Sequence, residues 1–133
     1  MIKNKKIFIT GGAGFIGSRI ISLLAENNEI VVYDNYTRNT LKNTIYDEHP
    51  HVEKIDGDVL DIDHLQRSMT GVNLVVHAAA IAGIDATLRN PVSTMRVNMI
   101  GTANVLEAAR STDSMERFVD FSTSEVFGTH AFN

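Results

Sequence analysis

The residues best placed to do chemistry form the run Thr10-Gly11-Gly12-Ala13-Gly14-Phe15-Ile16-Gly17. Its glycines fit two registers: G-x-G-x-x-G through Gly12, Gly14 and Gly17, and G-x-x-G-x-x-G through Gly11, Gly14 and Gly17. In either register the first glycine permits a tight turn. The second lets backbone amides approach a pyrophosphate, and the third lets the following helix pack closely on a sheet. A helix starting there also offers unpaired N–H groups and a partial positive charge. Asp34 follows at the interval of about 20 residues that a dinucleotide site requires. Its carboxylate suits the two hydroxyls of a ribose and repels a 2′-phosphate, which favours NAD over NADP. Arg38, four positions on, works against that preference. The competing reading is a glycine-rich turn with no ligand; strand, glycines and acid in the required order argue against it.

Positioning such a site takes alternating strands and helices. Lys6–Thr10 (KIFIT) is β-prone and feeds the glycines directly. Phe15, Ile16, Ile20, Leu23 and Leu24 then recur at helical spacing, and Asn27-Asn28 is a stop. Glu29–Tyr33 (EIVVY) reads as a strand buried on both faces. Residues 34–50 are polar and irregular, with room for a short helix. Val52–Asp56 is a weaker third strand ended by Gly57-Asp58. A short helix follows, with Asp61 as N-cap, Leu65 and Met69 inward and Gly71 as its end. LVVH, within Asn73–Ala80, is a fourth strand. The helix expected over Pro91–Arg110 carries two stripes, Met95, Met99, Thr102, Leu106, Ala109 and Asn98, Gly101, Val105, Ala108, which predicts cover on two sides. Arg117–Ser122 is a fifth strand. The fold class is α/β, a doubly wound parallel sheet, reaching about five strands.

Composition narrows the function classes. The chain has 133 residues, one domain's worth, with 44% hydrophobic and 21% charged residues, a globular balance. Twelve basic against sixteen acidic residues give a net charge of -4, which argues against a nucleic-acid surface, and the one basic cluster, Lys3, Lys5 and Lys6, reads as plain solvation. The absence of cysteine excludes disulfides, thiolate zinc sites and a cysteine nucleophile. No apolar run reaches the roughly 20 residues of a membrane span, and Ile7-Phe8-Ile9 is too short for a signal-peptide core, so no membrane contact and a cytoplasmic location are expected. His49, His51 and His64 read as solvent-exposed and His77 as a packed core histidine. No pair has metal-ligand spacing with a third partner.

Beyond these features the sequence resembles the extended short-chain dehydrogenase/reductase family of NAD-dependent nucleotide-sugar epimerases and dehydratases. The likeness rests on TGGAGFIG (Thr10–Gly17), YDN (Tyr33–Asn35), GDVLD (Gly57–Asp61), VVHAAA (Val75–Ala80), NMIGTANVLEAA (Asn98–Ala109) and STSEVFG (Ser122–Gly128). It implies a Rossmann-like NAD-binding domain. Gly11, Gly14, Phe15, Ile16, Gly17, Asp34 and Asn35 would hold the dinucleotide. Asp58 would take the adenine amino group with backbone contact from Val59 beside it; Asp58 is equally a turn residue after Gly57. Ala78, Ala79 and Ala80 would line the cofactor, or simply pack. Asn98 would sit at a helix irregularity near the active site, unless it is a solvated helix residue. The Pro91–Arg110 helix would form half of a four-helix homodimer interface, against the alternative of burial within one subunit. Thr123 falls at the catalytic Ser/Thr position and would bond the sugar hydroxyl undergoing oxidation. Ser124 and Glu125 follow. An acid at 125 tilts the chemistry toward dehydration or decarboxylation, because eliminating water needs a second general acid/base; its alternative is a surface glutamate. Phe127 departs from the usual Val-Tyr-Gly.

The family also needs a tyrosinate and a lysine four residues later. Tyr33, Tyr36 and Tyr46 are followed at that interval by Thr37, Thr40 and Pro50. The expectation is that the pair, a sixth strand and the substrate-binding lobe lie past Asn133, that residues 1–133 are the first two fifths of a typical member, and that this piece binds NAD weakly or not at all and turns over nothing. Two other classes compete with the nucleotide-sugar enzyme. One is a non-catalytic dinucleotide-binding or association module; the other is a Rossmann enzyme using a different cofactor, such as S-adenosylmethionine, against which HAAA and STSEVFG argue.

Overall fold

In the computed structural model, residues 2–123 are described together with Val126 and Gly128. Five parallel strands form one sheet: β1 (Lys6–Thr10), β2 (Glu29–Asp34), β3 (Val52–Asp56), β4 (Leu74–His77) and β5 (Arg117–Asp120), in the spatial order β3-β2-β1-β4-β5. The chain lays β2 and β3 to one side of β1, then reverses and adds β4 and β5 on the other. The reversal puts the topological switch point between β1 and β4, and open α/β sheets bind ligands beyond the C-terminal ends of strands at such a point.

Period-two alternation sorts the core into two layers. Ile7 and Ile9 face one side with Ile30, Val32 and Val76, covered by helix α1 (Phe15–Leu24) through Ile21. Phe8 faces the other with Val31, Tyr33 and Val75, covered by helix α2 (Ile62–Ser68) through Leu65 and by α5 (Thr102–Arg110) through Val105 and Ala108. Strands β1 and β2 are apolar on both faces because both faces are roofed.

The strand expectations hold, except that β5 ends at Asp120 rather than Ser122. Asp61 caps α2 by accepting from the His64 amide at 2.9 Å, and Leu65 and Met69 are fully buried. Helix α1 buries only Gly17 and Ile21; Phe15, Ile16 and Leu23 stay exposed, so its inward face is narrower than its apolar spacing suggests. Residues 35–50 form turns without a helix, while a short helix α3 (Ile84–Arg89), with no buried residue, lies where none was expected. His49 and His64 are half-buried rather than exposed, the His64 ring standing edge-on to Tyr33 at 5.4 Å.

The expected continuous helix over Pro91–Arg110 is three pieces: α4 (Pro91–Met95), a π turn over Arg96–Gly101, and α5. A π turn inserts an extra residue per turn and rotates the rest of the helix, a change to which 3.6-residue spacing is blind. Gly101, Val105, Ala108 and Ala109 face the core. Met95, Met99 and Leu106 do not: they are 57%, 60% and 47% exposed, so the chain covers this segment on one side and not on two.

Candidate functional site

The glycine turn sits at the C-terminal end of β1, against the first residues after β4. Gly11 has φ +66, the left-handed region, and a Cβ there would lie 2.6 Å from the Ala79 amide nitrogen. Only glycine satisfies both demands. Gly17 is equally closed: its Cβ would run into the Gly11 carbonyl oxygen and the Gly12 backbone. A Cβ on Gly14, by contrast, would meet only the Gly11 carbonyl oxygen, at 3.2 Å. Gly12 is closed too, its Cβ 2.9 Å from Val32 Cγ1 and 3.1 Å from the Ile9 carbonyl oxygen, but only Gly11 of the two has a left-handed φ, so Gly11 makes the turn, with Gly17 seating the helix and Gly14 on the open side. Gly14 is the N-cap of α1, and Phe15 and Ile16, the first helical residues, point outward.

Asp34, at the end of β2, touches this turn directly. Its Oδ2 accepts from the Ala13 amide at 2.9 Å and its Oδ1 from the Tyr36 amide at 2.8 Å. Each carboxylate oxygen has a second lone pair, so Asp34 keeps acceptor capacity for a ribose while bracing the loop. Thr40 adds a second brace, its amide and its hydroxyl both donating to the Ala13 carbonyl, at 2.7 and 2.8 Å. Neither Thr40 nor this double role of Asp34 was foreseen, since nothing in a polar loop marks a residue that folds back. Beside them Tyr36 has φ +54 and a buried hydroxyl with no hydrogen-bond partner among the described residues. Burial, reinforced by Asp34 and Asp56, pushes its pKa up to about 12. Asn35 is exposed and accepts from the Thr37 amide.

The other predicted positions fall around the same edge. Asp58 is exposed, its carboxylate holding the Leu60 amide while its carbonyl accepts from the Tyr33 hydroxyl at 3.1 Å. Val59 is buried, and its carbonyl accepts from the Asn104 side chain. Ala78 and Ala79 are half-buried behind Gly11, and Ala80 is exposed. Asn98 lies inside the π turn and is not a solvated helix residue: its Oδ1 accepts from the Ile81 amide at 2.8 Å and its Nδ2 donates to the Ile81 carbonyl at 3.0 Å. Thr123 is exposed beyond the C-terminal end of β5 and accepts a backbone bond from Val126. Ser124 and Glu125 lie outside the described residues.

Gly11, Gly14, Gly17, Asp34 and Ala78–Ala79 therefore lie together at the C-terminal end of the strands, at the sheet's topological switch point. A shallow polar groove lined by Asn4, Lys6, Glu26 and Asn73 lies at the opposite, N-terminal end of the strands and adds nothing to this group. Among the described residues no three His, Cys, Asp or Glu side chains are grouped to hold a metal ion, and no helix is long and apolar enough to cross a membrane.

Comparison with known proteins agrees with the geometry. UDP-glucuronic acid decarboxylase 3 of Arabidopsis thaliana is 40% identical over 130 residues, 94% of this chain and 35% of the relative. The solved UDP-N-acetylglucosamine 4-epimerase of Methanobrevibacter ruminantium M1, in complex with UDP-N-acetylmuramic acid, superposes with a TM-score of 0.87 at 27% identity, over 96% of this chain and 40% of that one. The UDP-glucose 4-epimerase of Brucella ovis, solved in complex with NAD, gives a TM-score of 0.80 at 30% identity over 94% of this chain and 38% of its own. The chain thus spans about two fifths or less of the length of these relatives. Residues 7–132 match the NAD dependent epimerase/dehydratase family, and the chain belongs to that family.

Proposed function

We propose that this chain is the NAD-binding part of an enzyme that acts on a nucleotide sugar, oxidising the sugar with bound NAD and then epimerising, dehydrating or decarboxylating it. The observation that carries the reading is the closed contact of Gly11 on Ala79 with Asp34 bonded to the Ala13 amide. It leaves one open cradle, at Gly14 and the start of α1, bordered by a carboxylate with lone pairs to spare. Those are the needs of a pyrophosphate next to a ribose. Bound NAD supplies the hydride acceptor for the sugar carbon. The chain's own part is to hold and orient: amides at the start of α1 for the pyrophosphate, Asp34 for the adenosine ribose, Asp58 for the adenine, and Ala78–Ala80 as a thin wall. The Thr123 hydroxyl holds the sugar hydroxyl, and Glu125 serves as the added acid/base for eliminating water.

The exposed stripe Met95, Met99 and Leu106 supports a homodimer built on α4 and α5. The same stripe fits a second reading, a non-catalytic dinucleotide-binding or association module.

The test is ligand-observed saturation-transfer NMR with this chain, which detects weak binding, comparing NAD, NADP and S-adenosylmethionine. NAD is expected to give the strongest transfer, lost in Asp34→Ala. Stronger transfer to S-adenosylmethionine, or an NAD signal unmoved by Asp34→Ala, overturns the reading. Turnover of a nucleotide sugar by these 133 residues alone would overturn the further expectation that they turn over nothing by themselves.

A further inference from the structure

His77, the last residue of β4, is 3% exposed, and both of its ring nitrogens are engaged. Nδ1 lies 2.6 Å from the hydroxyl of Thr10, its register partner on β1. Nε2 lies 3.0 Å from the hydroxyl of Thr102 on α5. The neighbours of those hydroxyls fix the proton on the ring. The Thr102 hydroxyl donates to the Asn98 carbonyl at 2.7 Å, and a hydroxyl has one proton, so toward His77 it can only accept. Nε2 therefore carries the hydrogen, and in a neutral ring Nδ1 is then an acceptor. The Thr10 hydroxyl accordingly donates to Nδ1 while its oxygen accepts from the Ala79 amide at 3.3 Å. The bonds all point one way: Ala79 amide to Thr10, Thr10 to His77, His77 to Thr102, Thr102 to the Asn98 carbonyl.

We propose that His77 is a positioning residue, a neutral Nε2–H imidazole that ties the Ala78–Ala79 backbone behind the glycine turn to the π turn at Asn98, and that protonating it releases this tie. Protonation would turn Nδ1 from an acceptor into a donor aimed at the very hydroxyl that now donates to it, inside a site where Thr10 is fully buried. The consequence for cofactor binding rests on the proposed function above; the tie itself does not.

The surroundings favour the neutral ring. Burial lowers the pKa of His77 from its ordinary value, and the Asp120 carboxylate, in register with it on β5, opposes this more weakly. The Phe118 ring of β5, 6.5 Å away, adds apolar cover, and β1 and α5 present only the Thr10 and Thr102 hydroxyls. A folded-state pKa below the unfolded one means the stability contributed by neutral His77 is complete above the ordinary histidine value of about 6.5 and is lost as pH falls through it toward the folded value.

The wild-type chain tests this without mutation. Nitrogen-15 NMR of the His77 ring should show a protonated Nε2 and a bare Nδ1 at neutral pH, persisting below the titration of free histidine. The Ala79 amide shift should move with the same midpoint as the ring. The Nδ1–H tautomer, a ring that titrates like free histidine, or an Ala79 amide indifferent to it would each overturn the proposal. Thr102→Val, at a half-buried position, should free the tautomer preference, and Thr102→Ser should restore it; a purely structural role for Thr102 predicts no change in the ring nitrogens. The ring and amide signals decide the role of His77 whether or not the chain binds NAD, so the proposed function can fail without it.

Discussion

Asp34 and Ala13 are joined by a 2.9 Å hydrogen bond from the Ala13 amide to the Asp34 carboxylate, across 21 residues of chain. The acid that marks a ribose site in sequence is thus also a strut of the pyrophosphate turn. One substitution should therefore disturb both stability and binding. Asp34→Asn keeps an acceptor oxygen for only one of the Ala13 and Tyr36 amides, sets an NH2 against the other and loses the charge, so the chain should lose about 1–3 kcal/mol of stability. NAD binding should weaken about tenfold or more, one charge-assisted hydrogen bond's worth. Urea unfolding and an NAD titration read the two effects separately. A variant with unchanged NAD affinity would remove Asp34 from the site.

Gly11 and Gly71 both have positive φ, +66 and +72, but only Gly11 is hemmed in; a Cβ on Gly71 meets nothing within 4 Å. Gly71→Ala should cost only the left-handed backbone penalty, about 1–2 kcal/mol. Gly11→Ala adds a collision with the Ala78–Ala79 backbone, which cannot rotate away, and should cost upward of about 3 kcal/mol. Melting temperatures of the two variants give the comparison. Equal losses would show that the turn does not press on the Ala78–Ala79 segment that follows β4.

Tyr33 and Tyr36 have pKa values pushed from 10.0 up to about 12, chiefly by burial and then by carboxylates: Asp61 and Asp58 around Tyr33, Asp34 around Tyr36. A folded-state value above the unfolded one supplies stability that is complete below pH 10 and is lost as pH rises toward 12. Ultraviolet titration should show at least two tyrosinate equivalents arriving late, together with the loss of far-ultraviolet helix signal. Ionisation of both near 10 with the fold intact would contradict the packing described.

Most of the fold was legible because its signals are local. The apolar runs of β1 and β2, the Asp61 cap and the Gly11–Gly17 spacing each act within a few residues. What escaped depends on partners far along the chain. The register of the glycines was ambiguous until the left-handed φ of Gly11 decided it. The π turn is invisible to 3.6-residue spacing, and α3 buries nothing: its two large apolar residues, Ile84 and Leu88, are exposed. Thr40 and Thr10 carry no mark of the bonds they make to residues 27 and 67 positions away.

Met95, Met99 and Leu106 are the apolar residues that the periodicity flagged and the single chain leaves uncovered. If a second copy covers them, light scattering should give twice the 14.7 kDa chain mass. Met99→Glu with Leu106→Glu should return the monomer with its fold intact, losing only the concentration-dependent thermal stability that dimerisation adds. A wild-type monomer, or a double variant that still dimerises, would place the interface elsewhere.

Asn98 grips Ile81 with both ends of its amide, so its two natural replacements should differ in kind. Asn98→Ala removes both bonds and leaves the Ile81 amide and carbonyl half-buried without their partner, a cost of about 1–3 kcal/mol. Asn98→Asp keeps the acceptor for the Ile81 amide but places a carboxylate oxygen against the Ile81 carbonyl, where the donor had been. It should be at least as damaging as alanine, and acid should partly rescue it, because a protonated carboxyl regains a donor. Hydrogen-exchange protection at the Ile81 amide, taken relative to the intrinsic rate at each pH, reads this directly: high in the native chain, lower in both variants, and partly regained at low pH in Asn98→Asp alone. Unchanged protection in Asn98→Ala would mean that another contact holds the segment after β4, and the π turn would lose the positioning role that this geometry gives it.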